Sequence, residues 1–426
     1  MMSVNLRPVE PFEICSIRPP TENCSLTFRL TRNCRWNRCL FCPVYKYGAR
    51  FSRRRLEEVK IDIRRAKEIH DLLTDYGPER SASGRLGYQD AASLIREVRE
   101  ANPWGQTDEI AEGEEEGDER LRWFSSWFKD RPTLEDSIHH VLTWRLGGAE
   151  TCFFGDSNSL ILRPEFFTGV MAEIRAAFPM LRRFTVYGRT RTAARKDPLD
   201  LRAFREAGLD RVHFGLESGS DTVLQFMDKG ATAAEHIEGC LKTKEARISC
   251  CVYVMPGLGG ARWSGVHAVE TAAVLSRIAP DYVRLRSLEI FPKTGLAEAV
   301  ERGEFVEASE EQVVREIRVL VEQTESPCEI VSDSASNLLN VSGRLPADRD
   351  RMLSVIDEFL DLSPRGKLAF SLESRLRSFC GQYGGLTEDI MNAVAPYVRS
   401  GRIDISSGSD EQVTATIRLI RSKLMP

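Results

Sequence analysis

The sequence has no apolar run approaching the roughly 20 residues that a membrane-spanning helix needs. Its opening stretch, MMSVNLRPVEPFEI, has neither the basic start nor the apolar core of a secretory signal, so the expected location is cytoplasmic. No Gly-x4-Gly-Lys-Ser/Thr run occurs, which argues against a phosphate-cradling nucleotide loop. A net charge of −4 gives no global excess of basic charge to attract nucleic acid, although a local patch is compatible with it. No internal repeat is visible. A hydrophobic content of 42% is ordinary for a globular chain, and 426 residues allow one large domain with additions or two domains. Most of the eleven cysteines are scattered through apolar, strand-like settings and read as small buried hydrophobes in a reducing compartment.

Three cysteines are not scattered. Cys34, Cys39 and Cys42 fall within nine residues, spaced x4 then x2, directly after the strand-like segment 25–31. Three thiolates in one loop can hold three irons of a cubane cluster and leave the fourth open for chemistry. Zinc is the competing reading. Zinc modules commonly use four protein ligands in paired knuckles, yet there is no second Cys-x2-Cys and the nearest histidine is His70. A redox Cys-x2-Cys pair leaves Cys34 unexplained. The alternative function is therefore a zinc-binding nucleic-acid-binding or scaffold protein without redox chemistry. Arg32, Arg35, Arg38, Arg50, Arg53, Arg54 and Arg55 give it some basis, because guanidinium groups suit phosphates.

Alternating apolar patterns predict strands at 25–31, 151–154, 184–187, 211–216, 250–255, within 282–291 and at 328–331. Helical periodicity lies between them, at 56–76, 164–178, 200–207, 233–246 and 266–278. The expected fold is α/β: a partial, open TIM-type barrel of about six to seven parallel strands, with the cysteine loop at its active end. Residues 1–24 read as an extended, proline-rich lead-in, 25–335 as the barrel and 336–426 as a C-terminal helical extension. Residues 77–120 form an acidic insertion, whose run 108–119 holds eight acids and no bases and should remain solvated. Residues 120–146 return to helix, with Trp123, Phe124, Trp127, Phe128 and Leu134 as expected core.

The cysteine loop, with Phe41 just before its third cysteine, resembles the signature of the radical S-adenosylmethionine (radical SAM) superfamily. The usual spacing there is Cys-x3-Cys-x2-Cys; this chain has one residue more in the first gap. The run 33–46 resembles a branch related to methylthiotransferases and anaerobic coproporphyrinogen oxidases. The resemblance implies an enzyme with a [4Fe-4S] cluster on Cys34, Cys39 and Cys42. It implies S-adenosyl-L-methionine as cosubstrate and an electron donor such as flavodoxin or ferredoxin. It also implies cofactor-binding roles at strand ends. Gly155 and Asp156 are expected at the SAM amine, and Arg189, with Arg191 second, at its carboxylate. Glu217, in Gly-Leu-Glu-Ser-Gly-Ser-Asp, is expected at ribose or amine. Gly257, in Met-Pro-Gly-Leu-Gly-Gly, should let backbone approach ribose and adenine. Ser218 and Ser220 are expected to cap the next helix.

Arg284, Arg286 and Glu289 alternate along one strand and could face the interior. Cys250 and Cys251 must face opposite sides of theirs. His213 reads as a satisfied core residue. Substrate and reaction type are not legible, since many outcomes start from the same site.

Overall fold

The computed structural model describes residues 9–15, 17–46, 50–80, 86–101, 133–399 and 401–424. The solvated run expected at 108–119, and Trp123, Phe124, Trp127 and Phe128, lie outside these residues. Inside them, the region expected to break the pattern after residue 77 is partly helical. Leu56–Arg80 continues four residues past 76, and Tyr88–Ala101 forms a second helix whose Ala91, Leu94, Ile95 and Val98 are buried.

The strands are β1 (Leu26–Phe28), β2 (Thr31–Arg32), β3 (Ser52–Arg53), β4 (Thr151–Phe154), β5 (Arg183–Gly188), β6 (Leu209–Glu217), β7 (Ser249–Val254), β8 (Tyr282–Leu285), β9 (Cys328–Val331) and β10 (Gly343–Leu345). One eight-stranded sheet runs β1-β4-β5-β6-β7-β8-β9-β10. Its first seven strands are parallel neighbours and β10 is antiparallel to β9. The sheet does not close on itself, which makes it a partial TIM-type barrel. All seven expected strands are present. β10 is an addition that sequence reading assigned to a helical extension.

Helices cover the outer face, as parallel strands require. Their starts are written locally. Proline opens Pro164–Ala177 and Pro198–Glu206, where its missing N–H costs nothing. Thr232 with Glu235, and Ser309 with Gln312, form capping boxes for Ala233–Glu245 and Glu310–Gln323. Between helices and sheet the core is aromatic: Phe154 stacks on Phe184 at 5.7 Å and meets Phe167 edge-on. Cys250 points into this outer core beside Cys240, whereas Cys251 faces the interior towards Arg284 and Arg211.

The lead-in is not a free segment. Phe12 is fully buried against Phe28, and the short turn Pro20–Glu22 closes the N-terminal end of the strands. Glu22 there is buried, accepts from Ser25 Oγ at 2.6 Å and from Arg183 Nη2 at 3.0 Å, and lies 3.5 Å from His213 Nε2. His213 is thus part of a buried polar floor inside the barrel.

Beyond β10 the chain forms helices Arg349–Leu360, Pro364–Tyr383, Glu388–Val394 and Asp410–Arg421, and the short strands Val398–Arg399 and Arg402–Ile403 pair antiparallel. Leu372, Phe379, Val413 and Ile417 contribute to a second apolar core there. Arg375 ties this region to the barrel through Glu310 and the carbonyls of Ala335 and Ser336. Arg421 does so through Glu289 and Glu307. No described helix is long and apolar enough to cross a membrane.

Candidate functional site

The cysteine loop crosses the C-terminal ends of the strands and is held there by three sets of contacts. Trp36 donates its indole N–H to the Asp228 carbonyl at 2.6 Å, and Arg38 pairs with the Asp228 carboxylate at 2.8 Å. Leu40 N–H donates to the Met227 carbonyl at 3.0 Å, and the Leu40 carbonyl accepts from Leu296 N–H at 3.0 Å. Phe41 is buried in an apolar cluster with Val223, Met227, Leu258 and Leu288. The loop's shape is therefore set largely by the loop that follows β6.

Cys34, Cys39 and Cys42 all line one cavity of about 240 Å³, together with Trp36, Phe41, Arg189, Glu217, Lys229 and Met255. Burial pushes the Cys42 thiol up to about 12. Burial also raises Cys39, while Lys229 and Arg189 pull it back down. These half-buried cations have the charge that thiolates or a thiolate-bound cluster would need beside them. Among the described residues, no three His, Cys, Asp or Glu side chains converge on a position for a single ion.

Glu217 ends β6 where the register shifts, and its backbone is left-handed, with φ 66°. That conformation is costly for a side-chain-bearing residue and is typical of functional positions. Gly215 makes room for it: a Cβ there would lie 2.3 Å from Glu217 Oε1. The same carboxylate oxygen accepts from Lys229 Nζ at 2.9 Å. Arg189 lies over the Trp36 ring at 5.1 Å and donates to the Lys229 and Gly230 carbonyls. Burial lowers its affinity for the proton, and Cys39 and Cys34 partly restore it.

Other expected positions fall elsewhere. Gly155 packs against Cys15, whose Sγ would lie 1.8 Å from an added Cβ. Asp156 is buried, paired with Arg29, and its carbonyl accepts from Thr31 Oγ1. Neither lines the cavity; Ser157 does. Gly257 also lies outside it. Its N–H donates to Glu316 Oε2 at 2.6 Å, and Met255 takes the cavity position on that strand end. Glu316 is raised to about 7 by burial, opposed by bonds from Ser264 and Gly257. Arg191 donates to the Gly230 carbonyl and pairs with Glu235. Ser220 occupies the N-cap of Asp221–Phe226 but makes no side-chain cap bond. Ser218 is engaged with His267 at 2.8 Å instead. Lys229, Tyr187, Tyr253 and Met255 were not singled out from the sequence, because the fold alone brings them to the thiols; Trp36, within the cysteine loop itself, was not singled out either.

The arginines that suited nucleic acid are largely neutralised internally. Arg32 and Arg54 pair with Glu13, Arg54 also with Asp62, Arg38 with Asp228, and Arg55 with Glu58 at 3.6 Å.

Residues 123–270 match the family model of the radical SAM superfamily. The matched stretch runs from before β4 to within Gly260–Ile278 and so holds Arg189, Glu217 and Lys229 but not the three cysteines. Over that stretch, 148 of the 426 residues, the chain carries a radical SAM domain. Solved structures similar to it include the radical S-adenosylmethionine methyltransferase TsrM from Kitasatospora setae with cobalamin and a [4Fe-4S] cluster bound. That likeness has 15% identity and a TM-score of 0.38 over 65% of this chain and 39% of that one. Methylornithine synthase (PylB) is similar at 11% identity and TM-score 0.39 over 78% and 68%. Coproporphyrinogen III oxidase (HemN) from Escherichia coli is similar at 10% identity and TM-score 0.36 over 64% and 78%. The chain thus spans well under two thirds of the methyltransferase. No curated protein matches the chain.

Proposed function

We propose that the chain binds a [4Fe-4S] cluster through Cys34, Cys39 and Cys42 and cleaves S-adenosylmethionine reductively to start radical chemistry on a small-molecule substrate. The observation that carries this reading is the cavity itself. Three thiols of one loop face it, at the strand ends where barrel enzymes place their chemistry, beside Arg189, Lys229 and Glu217. When bound, the cluster and SAM supply one-electron cleavage of a sulfonium sulfur–carbon bond; the protein orients the partners and excludes side reactions.

The chain's residues divide that work. Arg189 offers a rigid guanidinium, held by Trp36 and two backbone carbonyls, for the SAM carboxylate. Glu217 accepts from an amine or ribose hydroxyl while Lys229 holds its carboxylate in place. Phe41 and Met255 form apolar wall of the cavity beside the thiols. Gly155, Asp156 and Gly257 have no direct part in this reading. A soluble reductant such as flavodoxin or ferredoxin delivers the electron.

Anaerobic reconstitution tests the reading. The protein is expected to hold about four irons and four sulfides per chain, as one cubane requires. Reduced with SAM, it should release 5′-deoxyadenosine, detected by mass spectrometry. Methylthioadenosine instead would point to cleavage at another bond. A Cys34→Ala, Cys39→Ala, Cys42→Ala triple variant that keeps its iron would sink the proposal.

A further inference from the structure

A second, larger chamber of about 670 Å³ adjoins the thiol cavity, and Ile17, Val44, Tyr187, Tyr253 and Arg286 line both. Its other walls come from three places: the lead-in around Arg18, the segment 332–340, and the face of Pro364–Tyr383 that carries Ser374, Arg377 and Ser378. Its volume is in the range of small-molecule sites. Its charge is one-sided. Arg18, Arg284, Arg286 and Arg377 line it against the single carboxylate Asp333.

That carboxylate is already used: Asp333 pairs with Arg284, which is 4% exposed. Arg377 pairs with Glu373 on its own helix. Arg18 is half-buried, and among the described residues it pairs with no carboxylate; its Nη1 lies 3.1 Å from Nδ1 of the buried His140. The Tyr253 hydroxyl is buried and bonds that of Tyr187. A guanidinium fork meets a carboxylate or phosphate two bonds at a time.

We infer that this chamber is the substrate site and that it takes a small molecule bearing a carboxylate or phosphate group, gripped by Arg18, with the helix Pro364–Tyr383 as its outer wall. The substrate role rests on the proposed function; the anion site itself does not. Tyr187 and Tyr253 stand where the two spaces meet, so the anchored molecule extends past them towards the thiols.

The test is titration of the reconstituted full-length protein with inorganic pyrophosphate and, separately, citrate, with sodium chloride holding ionic strength constant, read by calorimetry and thermal shift. Saturable binding of at least one probe is expected. Arg18→Gln should weaken it about tenfold or more, the scale of a lost charge-assisted hydrogen bond. Arg18→Lys should keep most of it. Tighter pyrophosphate binding assigns a phosphate-bearing substrate, and tighter citrate binding a carboxylate. Binding of neither probe above the chloride control, or unchanged binding in Arg18→Gln, overturns the inference. The triple cysteine variant should bind the anion as well as the native chain does. The anion site and the cluster can thus fail independently.

Discussion

The two ends of the barrel strands hold buried charge in different ways. At the floor, Glu22 meets Arg183, Ser25 and His213, and its bonds are made within the protein. At the mouth, Glu217 sits on left-handed backbone and pairs with Lys229, and Lys229 and Arg189 share the lining of one cavity with the thiols. The floor resembles a stability device, in which each charge is answered locally. The mouth keeps its charges turned towards open space, at a conformational cost that packing elsewhere must offset. If that distinction is right, damage at the floor should unfold the protein without altering what folded molecules do. Damage at the mouth should do the reverse once the charge balance is restored.

The largest expected effect is at Lys229. Lys229→Met leaves Glu217 partly buried beside the thiols without its cation. Breaking such a pair costs about 3–5 kcal/mol where both partners are fully buried. Both side chains here keep some exposure, 12% and 14%, so a loss towards the lower end is expected in denaturant melts. Adding Glu217→Leu should recover most of that stability, since an apolar pair can replace a buried ion pair. The double variant should still release no 5′-deoxyadenosine. If it recovered both stability and SAM cleavage, the mouth would be merely structural, like the floor.

The floor gives a smaller effect of a different kind. Burial pushes the Glu22 carboxyl up, but bonds from His213, Arg183 and Ser25 outweigh it and leave the group below its usual value of 4.5. A carboxylate lowered by folding adds stability that is present above its unfolded value and lost as pH falls through the folded one. The native chain should therefore lose stability below about pH 4.5. Glu22→Gln should cost ~1–3 kcal/mol at neutral pH, the scale of an impaired buried hydrogen-bond set. It should also flatten the acid limb of the stability–pH curve. Iron content and SAM cleavage per folded molecule should not change; a selective loss of either would join the floor to the chemistry.

The strand order was legible in the sequence because apolar runs and turn residues alternate regularly from Thr151 onward, and parallel strands must then lie side by side. The cysteine loop was legible because its ligands are local. The remainder of the mouth was not. Gly155 and Gly257 looked like cofactor turns, but a glycine records only that something approaches closely. Here that is Cys15 in one case and the Glu316 carboxylate, bonding the backbone N–H, in the other. Asp156 could equally answer a cofactor amine or an arginine, and Arg29 from the neighbouring strand end reached it first. Lys229 follows Glu217 by twelve residues, across a short helix, with no local pattern joining them. The lead-in read as extended because of its prolines, which concealed Phe12 and Glu22 as anchors of the floor.

The finest test of the mouth is Gly230, which touches no thiol. It is left-handed, with φ 65°, and a Cβ would lie 2.3 Å from the Trp36 ring. A left-handed residue with a side chain costs roughly 1–2 kcal/mol. The ring adds a second penalty, because Trp36 cannot retreat without releasing the Asp228 carbonyl and the Arg189 guanidinium that rest on it. Gly230→Ala should therefore shift the melting temperature by only a few degrees, as about 1–2 kcal/mol does in a chain of this size. Iron retention after reconstitution should fall further than that stability loss explains. Trimming the ring with Trp36→Leu in the same chain should relieve the clash but not the backbone strain. If iron returns while the melting temperature does not, the clash with the ring, and not the bonds that Trp36 makes, accounts for the lost iron. If Gly230→Ala alone keeps full iron, Trp36 does not set the loop, and the mouth's geometry must come from the cysteines themselves.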